Sequence, residues 1–418
     1  MVEAHIKNQD PRGERRFTAE AESRKVEITE FGPATLASVA CGTRVTNDDL
    51  LYEFKVRTNA NPEDVKNAEK LLEATGFTVR RASWELTQNY AQIIERTTQI
   101  GAHLVTSLME KQGWDAVNVL LDTSASLPED IGKKVIERAG LDPETTASKP
   151  YRVACAGAIA AVVDTLADPG VKDKHVIVLA LEPLSHHVKP IQCTLVDSAL
   201  SLPAIFGDDF AAIAFNTSDF EVVAPRMHII YDEAPIRFYP DYSLIPTDES
   251  AIPAHYTFDD GRRGDSTTKT GREISSITRN GVFLDIQRPE NGMPSSMNGK
   301  GTYRFFVPET IAVIRDVVER AQAQGINVEQ AVMHQPSKRV NEGFQRQAEG
   351  IDSLKGLLIP DFLLGEIERS NSSSGTSLVI WQHLAREGQL DPNKPLLICA
   401  PGIGSAISAG VIMPKSAK

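Results

Sequence analysis

Apolar runs of strand length alternate with amphipathic stretches along most of the chain, and that alternation predicts its elements in order. Ala34-Thr35-Leu36-Ala37-Ser38-Val39-Ala40-Cys41-Gly42 reads as a strand ending in a turn, and Thr46 or Asn47 then supplies a helix cap. Glu63 to Ala74 has a helical pattern that closes near Gly76, followed by a basic, strand-like piece at Phe77 to Arg81. Leu86 to Gln112 and Pro128 to Ala139 are helical in pattern, with the apolar strand-length run Asp115 to Asp122 between them. Ala158 to Ala167 is almost wholly apolar and predicts a helix buried on all sides, with Cys155 at the strand-to-helix junction before it. Strands are predicted at His175 to Leu181, Ala211 to Phe215 and Glu221 to Ala224. Later come a helix at Pro308 to Gln324, with proline in its first turn and Gly325 as its close, and a strand at Gln330 to His334. Helices at Lys338 to Ala348 and Ser377 to Arg386 and a strand at Pro395 to Ala400 complete the series. Buried strands alternating with helices imply an α/β architecture with sheets covered by helices. Each half has a long helix, a buried strand ending in a polar side chain and a further helix, as an internal duplication would give.

The pattern breaks in two places. Residues 1–33 are polar and charged and read as an extension outside the fold. Residues 232–296 are rich in proline, glycine and polar side chains, a long excursion with a strand at Gly281 to Asp285, which reads equally as a solvated loop or as a lid or partner surface. At 418 residues the chain exceeds what one core usually serves. The division expected is 34–224 as the first half and 225–418 as the second.

A net charge of −12 speaks against a general nucleic-acid binder, which needs basic surface. No run approaches the roughly eighteen apolar residues of a membrane span, and the N-terminus lacks a signal-peptide core. Cys41, Cys155, Cys193 and Cys399 are widely spaced, so neither a disulfide framework nor a zinc site is predicted, and a reducing cytoplasm fits. His186-His187 has no third ligand at metal-binding spacing, so no metal site is expected. Gly402-Ile403-Gly404 comes too late in the chain to open a dinucleotide-binding βαβ unit.

Three polar residues stand at strand ends or in tight loops: Cys155, His334 in His-Gln-Pro-Ser, and Asn371 in Asn-Ser-Ser-Ser-Gly-Thr. Singly, each has an ordinary structural explanation, as a small buried hydrophobe, a satisfied strand-end histidine and a turn residue. At the start of a helix, however, the positive end of the helix dipole favours thiolate over thiol, and a thiolate is a nucleophile near neutral pH.

Taken together, in this order and spacing, Cys-Ala-Gly, His-Gln-Pro-Ser-Lys-Arg and Asn-Ser-Ser-Ser-Gly-Thr resemble the motifs of the β-ketoacyl-acyl-carrier-protein synthase III family. Arg44-Val45-Thr46-Asn47-Asp48-Asp49-Leu50, Phe206-Gly207-Asp208, Met297-Asn298-Gly299 and Pro401-Gly402-Ile403-Gly404-Ser405 add to the likeness, which runs from about Ala34 to Met413. The resemblance implies a thiolase fold of two similar halves in an αβαβα arrangement. It implies an acyl group carried on Cys155, and an oxyanion held by the backbone N–H groups of Cys155 and Ile403 in the glycine-rich loop of Gly402 and Gly404. His334 and Asn371 would donate to the enolate of a malonyl-type thioester, in a decarboxylative Claisen condensation. It implies no cofactor, a homodimer, and an acidic carrier protein docked on Arg339 with Lys338 beside it. The family's coenzyme A-contacting arginine is Ala74 here, and no tryptophan precedes it, since Trp84 follows the motif. Those departures favour a carrier-protein-bound starter over acyl-coenzyme A and suggest specialised lipid or secondary metabolism. Two other readings remain open: an acyltransferase of the same fold, acting on an alcohol or amine, and a non-catalytic partner subunit.

Overall fold

Alternate residues of the strand His175–Glu182 enter two different cores. Val176, Val178 and Ala180 face one, and Ile177, Leu179 and Leu181 the other, as the twofold period of a strand requires. Leu396–Gly402 behaves the same way, with Leu396, Ile398 and Ala400 in the first of those cores and Leu397 and Cys399 in a third. Two sheets therefore face each other across a shared layer, and each has a layer of its own outside. The computed structural model describes residues 25–82, 90–124, 127, 130–151, 153–186, 200, 202–229, 237–238, 244–245, 255–257, 263–265, 299–402 and 406–415.

In chain order the described elements begin with β1 (Glu27–Phe31), β2 (Ala34–Val39), β3 (Thr43–Thr46), α1 (Asn47–Thr58), α2 (Pro62–Thr75) and β4 (Val79–Ala82). Next come α3 (Tyr90–Gln112), β5 (Val119–Asp122), α4 (Ile131–Arg138), β6 (Ala147–Pro150), α5 (Gly157–Ala167), β7 (His175–Glu182), β8 (Asp209–Asn216) and β9 (Phe220–Ile229). Two short ladders follow, β10 (Arg237–Phe238) with β11 (Leu244–Ile245) and β12 (His255–Thr257) with β13 (Arg263–Asp265). The chain continues through α6 (Gly299–Gln322), β14 (Gln330–Met333), α7 (Lys338–Glu349), α8 (Gly375–Arg386), β15 (Leu396–Gly402) and β16 (Ala406–Pro414).

The first large sheet has the order β1-β2-β8-β7-β5-β6 and the second β14-β15-β16-β9. Both contain one motif. In the first, β5 and β7 are parallel and β8 and β2 follow antiparallel; in the second, β14 and β15 are parallel and β16 and β9 follow antiparallel. In each half, one helix of the shared layer precedes the second parallel strand, α5 before β7 and α8 before β15. α5 packs on strands of both sheets, as does α8, while α3 and α4 cover the outside of the first sheet and α6 and α7 that of the second. This is the αβαβα arrangement of two similar halves.

Local chemistry explains the boundaries. Thr46 caps α1 in a reciprocal capping box with Asp49, and Asn61 caps α2 ahead of Pro62. Gly76 closes α2 at φ +77°, a conformation that glycine adopts without penalty.

The structure also departs from expectation. β1 falls inside the stretch assigned to the extension and pairs with β2 along its length. As an edge strand it has little buried surface, with Glu27, Ile28 and Glu30 exposed, so its polar composition concealed it. β9 joins the second sheet and starts before the boundary drawn at residue 224. α6 begins well ahead of Pro308, which sits inside the helix on its exposed side, where the missing N–H lies near water. The expected strand at Gly281 to Asp285 lies outside the described residues. Among the described residues no helix is long and apolar enough to cross a membrane.

Phe31 joins β1 to the core by packing edge-on against Trp381 of α8, with ring centroids 5.8 Å apart. Trp381 is 1% exposed. Trp381→Ala should cost about 3–5 kcal/mol, the usual range for emptying a large core site. In denaturant unfolding the midpoint should fall while the slope holds.

Candidate active site

Cys155 lies in a single 3-10 turn, Ala154–Ala156, that runs directly into α5. The preceding strand, β6, ends at Pro150, so an irregular link rather than a strand leads into the cysteine. Ala154 has φ +46°, a left-handed conformation that costs a non-glycine residue about 1–2 kcal/mol. Such strain persists only where packing imposes it. Here the packing is tight: a Cβ at Gly157 would stand 3.2 Å from the Thr123 carbonyl oxygen. Cys155 is 4% exposed. No side chain caps α5, whose first N–H groups, at the positive end of the helix dipole, begin two residues after Cys155.

The second half reaches this turn through Gly402, the last residue of β15. A Cβ there would lie 2.6 Å from the Val153 carbonyl oxygen and 2.8 Å from the Ala156 nitrogen. Only a glycine allows the two backbones this approach. Ile403 and Gly404 lie outside the described residues. Pro401, just before Gly402, is a buried member of β15.

His334 follows β14 and extends its parallel ladder, donating its N–H to the Cys399 carbonyl at 3.0 Å. Its imidazole is 1% exposed, and Nδ1 finds no hydrogen-bond partner among the described residues. Burial disfavours the imidazolium and pushes the pKa down to about 3, so the ring is neutral at physiological pH.

Asn371 opens the loop before α8. Its backbone bridges to the first half, donating N–H to the Ile205 carbonyl at 3.1 Å and accepting from the Gly207 N–H at 3.2 Å. Its side-chain Oδ1 accepts from the Ser373 N–H at 2.8 Å and from the Thr376 hydroxyl at 3.3 Å. The carbonyl end of the amide is thereby fixed, and the NH₂ end is directed at the Pro336 carbonyl, 3.5 Å away and two residues past His334. Contacts thus run from the Cys155 turn to Gly402, across the β14–β15 ladder to His334, and from Pro336 to Asn371.

Lys338 and Arg339 open α7 and are exposed. Lys338 packs its stem against Gly76, and the Arg339 guanidinium lies over the Tyr303 ring at 5.7 Å. Ala74 is exposed at the end of α2, whereas Trp84 lies outside the described residues. Phe210 belongs to the outer core of the first half, away from the shared layer.

Several buried charges have no counterpart in the expectations from sequence, three of them at the ends of the Asn371 loop. Arg80 is 2% exposed; its Nε donates to the Ala204 carbonyl at 3.0 Å, and desolvation lowers its pKa to about 9. Asp209 pairs with Arg369 at 2.8 Å, with both side chains buried, and desolvation outweighs that attraction to raise its pKa to about 6. Glu182, fully buried, accepts the Ser374 hydroxyl at 2.7 Å. The available signal was a carboxylate closing an apolar strand run, in His175-Val-Ile-Val-Leu-Ala-Leu-Glu182. A cavity of about 300 Å³, lined in part by Arg81, Glu366, Glu368 and Arg386, takes in none of Cys155, His334 and Asn371. Among the described residues no His, Cys, Asp and Glu side chains gather as a metal site.

No family model matches the chain. A curated relative, β-ketoacyl-[acyl-carrier-protein] synthase III of Synechococcus sp. (strain RCC307), is 22% identical over 377 residues, covering 88% of this chain and 93% of that protein. Among solved structures, 3-oxoacyl-(acyl carrier protein) synthase III of Pseudomonas aeruginosa PAO1 aligns with a TM-score of 0.57 at 15% identity, over 94% of this chain and all of that one. The 1,3,6,8-tetrahydroxynaphthalene synthase of Streptomyces coelicolor A3(2), a type III polyketide synthase, aligns with a TM-score of 0.62 at 16% identity, over 91% and 99% of the two chains.

Two predictions follow from the geometry. Gly402→Ala should displace the Cys155 turn, because the new methyl would meet backbone atoms on a neighbouring segment. The rate of alkylation of Cys155 by iodoacetamide, followed by peptide mass mapping, should change, and the thermal midpoint should fall, because the clash is with backbone atoms. For His334, the unfolded chain takes up a proton near pH 6.5 whereas the folded one does so only near 3. Stability contributed by the neutral ring is therefore complete above about pH 6.5 and is lost as pH falls towards 3. His334→Gln should flatten that part of the acid limb in a plot of denaturation midpoint against pH.

The chain has the thiolase fold and resembles the β-ketoacyl-acyl-carrier-protein synthase III-like condensing enzymes along most of its length.

Proposed function

We propose that the protein is a condensing enzyme that takes an acyl group from a thioester onto Cys155 and joins it to a malonyl-type thioester with loss of CO₂. In the first half-reaction the Cys155 thiolate attacks the thioester carbonyl. A carbon–sulfur bond forms at Cys155, and the donor leaves as a thiol after taking a proton. The oxyanion formed on the way is held by the backbone N–H groups of Cys155 and Ile403. In the second, the malonyl carbon–carboxylate bond breaks, and its electron pair moves into the thioester carbonyl as an enolate. His334 and Asn371 donate to that enolate oxygen, its carbon attacks the acyl-cysteine, and the Cys155 thiolate departs.

The observation that carries this reading is the fixed Asn371 amide, whose Oδ1 is occupied by Ser373 and Thr376 while its NH₂ faces the His334–Pro336 segment. A neutral donor suits a developing enolate, and a carboxylate in that place would repel it. The neutral His334 ring is a second donor through its single N–H, without the net charge of an imidazolium.

The donor is an acyl-carrier protein, supported by Ala74 in the place of the coenzyme A-contacting arginine and by exposed Lys338 and Arg339 at the start of α7. The enzyme is a homodimer, joined near β6, whose outer edge closes the first sheet among the described residues. The pathway is one of specialised lipid or secondary metabolism, in the cytoplasm.

Intact-protein mass spectrometry with panels of acyl-carrier proteins and acyl-coenzyme A tests this. Wild type should gain the acyl mass from a carrier-protein donor, and Cys155→Ala should not. Asn371→Ala should still be acylated but should decarboxylate the malonyl thioester about 100-fold more slowly, the usual loss of one oxyanion donor. Acylation followed by transfer to an alcohol or amine would identify an acyltransferase instead, and no adduct from any donor would point to a partner subunit.

A further inference from the structure

Asn371 belongs to the second half of the molecule, yet its loop is anchored in the first. Glu182 ends β7 and Asp209 begins β8, and the two residues stand directly opposite each other in the antiparallel ladder. Opposed residues project from one face of a sheet. Their neighbours Leu181 and Phe210 enter the outer core, so Glu182 and Asp209 face the shared layer. Both are buried, at 0% and 2% exposure. Asp209 accepts from Arg369 Nη1 at 2.8 Å. Glu182 Oε1 accepts from the Ser374 hydroxyl at 2.7 Å and from its backbone N–H at 3.4 Å. Arg369 and Ser374 bracket Asn371. Between them Ser373 is held at φ +52°, a left-handed conformation that a serine does not adopt unforced, and its N–H is one of the two donors fixing the Asn371 amide.

We propose that Glu182 is a positioning residue for the second half-reaction: with Asp209 holding the other end of the loop, it sets the direction of the Asn371 amide. This rests on the reading of Asn371 as an enolate donor. A carboxylate suits the place because Ser374 directly precedes α8, where two donors and the positive end of the helix dipole converge on it. Glu182→Gln keeps the shape and removes the charge. Its amide oxygen can still accept from Ser374, but without the charge both bonds weaken and the loop is held less firmly.

The test separates the half-reactions. Acylation of Cys155 is followed by intact mass, and decarboxylation of malonyl-carrier protein by CO₂ release, for wild type, Glu182→Gln, Ser374→Ala and the double variant. Glu182→Gln should be acylated within about twofold of wild type while kcat for decarboxylation falls about 10- to 100-fold, the scale expected when a catalytic group is displaced by about 1 Å. KM for the malonyl thioester should hold. Ser374→Ala should lose activity in the same step, and the double variant should be no worse than the poorer single variant, because both act through one contact. Wild-type decarboxylation in Glu182→Gln overturns the proposal, as do parallel losses in both half-reactions or additive losses in the double variant. If Asn371→Ala also decarboxylates normally, the underlying reading fails with it; if Asn371→Ala is slow while Glu182→Gln is normal, only this proposal falls.

Discussion

A backbone-to-backbone contact between the two halves governs the site. Gly402 lies against the Cys155 turn so closely that a single added carbon would collide with Val153 and Ala156. Side chains can adapt by changing rotamer, whereas backbones in contact cannot. The separation between the cysteine and the end of β15 is therefore set by the packing of the two sheets on their shared helical layer. His334 is tied to the same strand by its hydrogen bond to Cys399, and so inherits that position.

The duplication gives this arrangement a simple logic. Cys155 and Asn371 occupy corresponding places, each in a strained link immediately before a helix of the shared layer, with Ala154 and Ser373 both at positive φ. The same device, used once in each half, presents a sulfur from one side and an amide from the other. The halves differ in what holds the link. The Cys155 turn is wedged by glycines at 157 and 402, while the Asn371 loop is held by charge, through Arg369 and Ser374 on the carboxylates of Asp209 and Glu182. Acidic residues buried this way require partners, and here the partners lie across the boundary between halves.

Much of this was legible in the sequence because strands covered on both faces leave uninterrupted apolar runs, such as His175 to Leu181, and because Thr46, Gly76 and Gly325 mark helix ends by their own chemistry. The three motifs around Cys155, His334 and Asn371 were legible as a set. β1 was not, since an edge strand needs few apolar side chains, and neither was the early start of α6, which a proline conceals. Asp209, Arg369 and Arg80 escaped notice because charge in a sequence usually signals surface, and nothing local reveals that a partner far along the chain will satisfy it; Glu182 had one local sign, its place at the end of an apolar strand run.

That separation bears on how the protein is made. Asp209 and Arg369 are 160 residues apart, and α8 covers the inner face of β1, β2 and β8 from still further along the chain. During synthesis the first sheet emerges complete while one apolar face waits for a helix that the ribosome has yet to produce. The nascent chain must survive that interval without aggregating, so its yield in a cell depends on chaperone supply and translation speed as well as on the stability of the finished fold.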